Sequence, residues 1–275
     1  MTEKRRIDVI SIGLYTLLTA VLLFMIAPLV FVIINSFNAS SFSPWPPTGF
    51  SLAWYREVLD YEPFRRGFRN SIVTALGTTV IALVLGSMVA YALSRYRFRG
   101  RGLVQAIFFS PLIVPRVAIG LMMFVLYISM YSSLFGTTRG VMLAHTLLVL
   151  PFVITIFAAN ISGINPVLEE AAQDLGANPV QTFIKITLPQ MRVGFIIAGL
   201  FAFITSFDEV EAAIFLVRPA SNTLPIEMFL YLEQRQTPAL AALSSILIVL
   251  TLAVVFIALA VLRGHDLRRY AGRGG

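Results

Sequence analysis

Cysteine is absent from the 275-residue chain, and charged residues make up only 13% of it. The absence of thiols excludes disulfides and thiolate metal sites. The chain also lacks a glycine-rich phosphate loop, a Gly-x-Ser-x-Gly nucleophile motif and a His-Glu-x-x-His zinc motif. Of the two histidines, His145 is predicted to be a polar helix-packing residue. We therefore expect no enzyme activity, catalytic residue, metal site or cofactor in this chain.

Long apolar runs dominate what is present. Hydrophobic residues make up 57% of the chain, and the mean hydropathy is +0.83. These values indicate that lipid surrounds most of it, and continuous runs of about 20 residues favour helices over alternating barrel strands. Six windows are predicted as spans: about 9–34, 71–93, 103–130, 141–161, 194–217 and 240–262. We predict an all-α polytopic membrane protein of six helices, folded as a single transmembrane domain over residues 1–275.

Two of the predicted spans are interrupted. Pro111 and Pro115 fall inside the third, and acidic residues follow Phe207 in the fifth, which is expected to resume over 210–217. Proline removes a backbone donor, and a carboxylate at membrane depth is costly. Both spans are therefore expected to carry local polar features.

The distribution of Lys and Arg predicts the orientation. Most of the 21 basic residues flank the helix ends that face the cytoplasm when both termini are cytoplasmic. They include Lys4, Arg5, Arg6, Arg95, Arg97, Arg99, Arg101, Lys185, Arg192, Arg263, Arg268, Arg269 and Arg273. The net charge of +7 is thus explained by topology and the lipid bilayer, and no nucleic-acid partner is expected.

The connection between the fourth and fifth spans, residues 165–192, is too polar for lipid; we call it the coupling segment. Asn165-Pro166 and Asn178-Pro179 each carry the start signal of a helix, and Gly176 permits a left-handed residue between them. The pattern predicts two short helices joined at a sharp corner.

Seven residues of this segment recur at a recognisable spacing: Glu170, Ala171, Ala172, Gly176, Ile186, Leu188 and Pro189. The spacing resembles the EAA signature of binding-protein-dependent permeases of ATP-binding-cassette (ABC) importers. The resemblance implies a type I, MetI-like permease fold in the bacterial inner membrane. It also implies that this segment couples the chain to ATPase subunits, which hold ATP and Mg²⁺. Leu168, Leu175, Ile184 and Leu188 are expected to pack the segment against the permease itself.

The same resemblance implies further partners: an extracytoplasmic substrate-binding protein and a second permease subunit, expected as a paralogue although a second copy is open. The chain is most similar to the C-type permeases of spermidine/putrescine importers. Asn35-Ser36-Phe37-Asn38, Trp54-Tyr55, Ser206-Phe207-Asp208 and Leu224-Pro225 carry this narrower likeness. Permeases for phosphonate, ferric iron and thiamine share much of the pattern. An autonomous secondary carrier is the rival class, but it should show an internal duplication and no coupling segment.

Asp208, Glu209 and Glu211 interrupt the fifth span and are candidates for the substrate pathway. The alternative is that the helix ends at Phe207 and these residues lie in external water. Arg116, beside the prolines of the third span, is a further candidate. It departs from related amine permeases, which commonly have an acidic residue there. It either pairs with Asp208 or Glu209 or binds a carboxylate or phosphonate substrate.

Overall fold

The structure, a computed structural model, describes residues 9–41, 45–235 and 237–271. Within them the secondary structure is helical, apart from an isolated antiparallel bridge between Asn38 and Phe50. The helices are α1 Val9–Ser36, α2 Ala53–Asp60, α3 Glu62–Arg95, α4 Arg101–Phe109, α5 Arg116–Met130, α6 Thr138–Ser162, α7 Pro166–Asp174, α8 Pro179–Thr182, α9 Leu188–Gln190, α10 Arg192–Phe207, α11 Leu224–Gln234 and α12 Ala239–Ala271. The predicted all-α class is confirmed. The basic residues Lys4 to Arg6 and Arg273 lie outside the described residues.

Four of the described helices are long and apolar enough to cross a membrane alone: Ser11–Ser36, Glu62–Arg95, Thr138–Ser162 and Ala239–Ile257. Two further pairs are bent. The chain bends by 106° between Arg101–Leu112 and Arg116–Met130, and by 77° between Pro179–Gln190 and Arg192–Phe207. The described residues therefore provide four spans, or up to six when each bent pair counts as one.

The third predicted span, 103–130, is a broken element. After α4, a 3-10 turn covers Ser110–Leu112, and α5 starts again at Arg116. Pro115 has the extended ψ of 136° and directly precedes α5. Proline lacks an N–H donor and disfavours helical backbone in the residue before it, which accounts for the break at this point.

The prediction that the fifth helix continues over 210–217 is wrong. Helix α10 ends at Phe207, and only a 3-10 turn, Ala213–Phe215, follows before α11. The segment packs closely on α5, because a Cβ added to Gly120 would lie 2.7 Å from the Ala212 backbone. The apolar residues after Phe207 thus fill protein interior as irregular backbone, which membrane proteins tolerate where the backbone is enclosed by protein.

The described residues fall into two compact units, one drawn from 9–61 with 232–260 and the other from 62–231 with 261–271. In the first unit, the turn after α1 is fastened to α2. The Trp54 indole donates to the Asn38 carbonyl at 2.7 Å, and the Ser36 and Tyr55 hydroxyls lie 2.7 Å apart. The two short motifs Asn35–Asn38 and Trp54-Tyr55 therefore contact each other.

Helices α3, α6 and α10 form the core of the second unit. Ala82, Ala90, Ala198 and Ala202 are fully buried between them, together with larger residues such as Phe157. Small residues let membrane helices approach closely and gain dispersion contacts that lipid cannot supply. His145 on α6 lies buried with its Nδ1 2.9 Å from the Ser206 hydroxyl of α10, a packing role as predicted.

Candidate functional site

The coupling segment has the predicted helix–corner–helix form. The Asn165 side chain accepts from the Val167 N–H at 3.1 Å and starts α7. Gly176 ends it with a φ of +91°, a backbone region that glycine adopts without steric cost. Asn178 and Gln181 then exchange two hydrogen bonds that start α8, which continues through a π-helical turn, Phe183–Thr187, into α9.

The seven signature residues are mainly at the surface of this segment. Glu170, Ala171, Gly176 and Pro189 are exposed, and Ala172, Ile186 and Leu188 are half-buried. A Cβ added to Gly176 would contact nothing within 4 Å, so its backbone conformation, and no close neighbour inside the chain, requires glycine there.

The expectation that Leu168, Leu175, Ile184 and Leu188 pack against the permease is wrong for the first three. Leu168 and Ile184 are exposed, and Leu175 is 90% exposed, whereas Leu188 is half-buried. With Val167 and Val180, they give the segment an apolar outer surface. The inward position on α7 is occupied by Glu169, so Val167 and Leu168 of the same helix are left exposed.

Glu169 is the residue that fastens the segment, and only 5% of it is exposed. Its Oε2 accepts from Arg95 Nε at 2.9 Å, and its Oε1 accepts from the Thr187 hydroxyl at 2.7 Å. Arg95 Nη2 also donates to the carbonyls of Ile161 and Ile164, at 3.2 and 3.0 Å. We call these contacts the clamp. The clamp joins the ends of α3 and α6 to both halves of the coupling segment.

A second ion pair lies at the break before α5. Arg116 Nη1 is 2.7 Å from Glu209 Oε2, and Glu209 Oε1 accepts from the Ala212 N–H at 3.0 Å. Glu209 is only 2% exposed. Of the roles left open for Arg116, the structure shows pairing with Glu209. The alternative that places Glu209 in external water is wrong.

Asp208 and Glu211 are exposed, in contrast to Glu209. Glu211 lines a cavity of about 300 Å³ at the helix break. The other lining residues are Pro111, Leu112, Ile113, Val114, Pro115, Arg116, Leu148 and Phe152. The structure therefore brings Arg116, Glu209 and Glu211 to one region and leaves Asp208 off the cavity wall. Within the described residues, no group of three or more His, Asp or Glu side chains is arranged to hold a metal ion.

Apolar bent spans, a capped coupling segment and a charged cavity at a helix break define a polytopic transport permease. Residues 82–269 match the family described as binding-protein-dependent transport system inner membrane component. The chain belongs to this family and is an ABC importer permease.

Two relatives from Escherichia coli K12 cover most of the chain. The putrescine transport system permease protein PotI is 31% identical over 241 residues, which are 86% of this chain and 85% of that protein. The spermidine/putrescine transport system permease protein PotC is 29% identical over 242 residues, 86% of this chain and 89% of that protein. The predicted likeness to polyamine permeases is confirmed.

Solved structures share the fold. A chain of a bacterial ABC transporter that imports the acidic polysaccharide alginate has a TM-score of 0.72 at 20% identity, covering 96% of this chain and 99% of that one. A chain of the inward-facing MetNI methionine ABC transporter has a TM-score of 0.60 at 17% identity, covering 78% and 99%. These likenesses confirm the predicted MetI-like permease fold.

Removal of the Glu169 carboxylate tests whether the clamp holds the coupling segment. Glu169→Ala leaves the Arg95 charge without its carboxylate, and breaking a buried pair typically costs about 3–5 kcal/mol. We expect a loss of about 2–4 kcal/mol, because Arg95 keeps its two carbonyl acceptors. Trypsin should cleave faster at the exposed Lys185, and the thermal midpoint in detergent should fall.

Asp174→Ala is the matched control, because it removes an exposed carboxylate from the same helix. Equal protease resistance and equal thermal midpoints for the two variants would show that the clamp does not hold the segment.

Proposed function

We propose that this chain is one of two permease subunits of a bacterial inner-membrane importer for a small amine, of the spermidine or putrescine type. The second subunit is a paralogue, two ATPase subunits hold ATP and Mg²⁺, and an extracytoplasmic binding protein delivers the substrate. The observation that carries the coupling role is the apolar surface of the coupling segment, held in place by a buried clamp.

The proposed topology has six spans in a single domain over residues 1–275, with both termini cytoplasmic. Counting each bent pair as one span gives six described spans, an even number that returns the chain to its starting side. In this topology α10 is the membrane part of the second bent pair, and the positive-inside distribution supports a cytoplasmic position for α7 to α9, where an ATPase can reach them.

The coupling role follows from the chemistry of that surface. Leu168, Leu175 and Ile184 are exposed where no lipid covers them in the proposed topology. Exposed apolar groups on a rigid support favour association with a partner. Glu170 adds an exposed carboxylate able to accept charge-assisted hydrogen bonds, and Ala171 allows close approach. ATP-driven closure of the ATPase pair pushes these residues, and the clamp passes the displacement to α3 and α6.

The substrate class rests on the polyamine permease relatives and on the charge at the break. Arg116 favours an anionic substrate only if its charge is free, and Glu209 neutralises it at 2.7 Å. Asp208 and Glu211 remain exposed carboxylates in the same region. This balance favours a cation over phosphonate. An autonomous carrier is disfavoured because it would have no use for a clamped coupling segment.

A pull-down tests the partnership. The tagged chain is extracted from its native membrane in detergent, and its partners are identified by mass spectrometry. We expect an ATPase subunit with the wild type, and about tenfold less with Leu175→Glu, because a charge replaces an apolar contact at an interface. Leu175→Met, which keeps the apolar surface, is the matched control. Recovery of intact wild-type chain without an ATPase would contradict the proposal and favour an autonomous carrier.

Uptake tests the substrate. Cells lacking other amine importers and expressing the complete complex should accumulate labelled putrescine or spermidine. Unlabelled amines should compete, whereas a phosphonate should not, because the unpaired charges of the pathway are negative. Thiamine is itself a cation, so its competition measures selectivity among cations. Uptake of thiamine or phosphonate without amine uptake would overturn the amine assignment and leave the importer class standing.

A further inference from the structure

The charged side chains around the cavity at the helix break differ in whether they have a partner. Both oxygens of Glu209 are occupied, one by Arg116 and one by the Ala212 N–H, in a nearly fully buried position. A ligand therefore cannot reach Glu209 without breaking the pair. The Arg116 charge is compensated in the same contact, so this pair contributes little net charge to the cavity.

Glu211 is different, although it lies only two residues further on. It is exposed, it lines the cavity, and it makes no hydrogen bond or ion pair with the described residues. The cavity wall therefore carries one uncompensated carboxylate. An unpaired carboxylate on a cavity wall attracts a cation, because no basic group among the described residues compensates its charge.

Apolar side chains form part of the remaining wall, beside more polar surface. Phe152, Leu148, Leu112 and Pro111 contribute apolar surface, and the Phe152 ring packs on Phe201 with centroids 4.9 Å apart. A fixed aromatic ring attracts an ammonium group over its face. The volume of about 300 Å³ lies at the lower end of small-ligand sites.

We propose that this cavity holds a primary ammonium end of the substrate, with Glu211 as its counterion and Phe152 as its aromatic wall. Arg116 is a positioning residue that keeps Glu209 neutralised and fixes the segment that carries Glu211. This inference rests on the proposed amine substrate and names the residue that recognises it.

The absence of cysteine makes a direct test simple. Leu112→Cys places a single thiol of this chain on the cavity wall. The complete detergent-solubilised complex is treated with N-ethylmaleimide, with and without putrescine. The tagged chain is then isolated, and the rate at which its thiol was labelled is measured. Putrescine should slow the labelling. Glu211→Gln should raise the putrescine concentration for half-protection by about tenfold or more, as for a lost charge-assisted hydrogen bond.

Two controls separate local recognition from a general charge effect. Glu62→Gln removes an exposed carboxylate that does not line the cavity, and should leave protection unchanged. Glu211→Asp keeps the charge and should retain most of the protection. A cationic methanethiosulfonate should also lose its rate advantage over an anionic one in Glu211→Gln, whatever the natural substrate is.

The outcomes distinguish the inference from the proposed function. Equal protection in Glu211→Gln and wild type overturns the inference, as does absent protection in a complex that takes up putrescine. A complex that takes up neither putrescine nor spermidine overturns the amine substrate itself, and this role of Glu211 with it. Loss of protection in Glu211→Gln alone, with Glu62→Gln unaffected, supports the assignment.

Discussion

Glu169 and Arg95 form a buried ion pair on which the position of the coupling segment depends. Removing two charges from water is costly, and the cost is offset here by further hydrogen bonds to Thr187 and to two carbonyls at the end of α6. The pair therefore favours one arrangement of the segment strongly over others. Because the inward position of α7 is polar, the single leucine of that helix, Leu168, is exposed.

The pair of Arg116 and Glu209 at the helix break likewise has a buried carboxylate and is supported by a further hydrogen bond. Irregular backbone and charges are tolerated at membrane depth where protein encloses them and each polar group has a partner. Glu209 caps the turn after α10 and neutralises the first residue of α5, so one side chain stabilises both sides of the break. Glu211, left without such a partner, is available for a substrate cation.

Much of this architecture follows from the sequence alone. Long apolar runs predict the continuous helices, and the Asn-Pro pairs with Gly176 predict the shape of the coupling segment, because caps and left-handed residues have strong local preferences. The clamp does not follow. In a polar loop, a Glu is normally exposed and a Leu is normally buried. Here Glu169 is buried and Leu175 is exposed. Only the long-range contact of Glu169 with Arg95 shows which face of α7 points inward. The end of α10 at Phe207 was one of two alternatives that the sequence left open, since residues 210–217 are apolar enough for a helix and their enclosure by protein is a tertiary property.

The clamp should make the coupling segment move together with α3. Spin labels at Ser94→Cys on α3 and Gln173→Cys on α7, two exposed positions in an otherwise cysteine-free chain, allow the distance between the two elements to be measured by pulsed electron paramagnetic resonance. In the complete complex with ATPase, the account predicts that ATP binding changes this distance by no more than about 1–2 Å, as for packed elements that shift together. A change comparable to one helical turn, about 5.4 Å, would contradict it, because the segment would then move independently of the helix it is meant to drive.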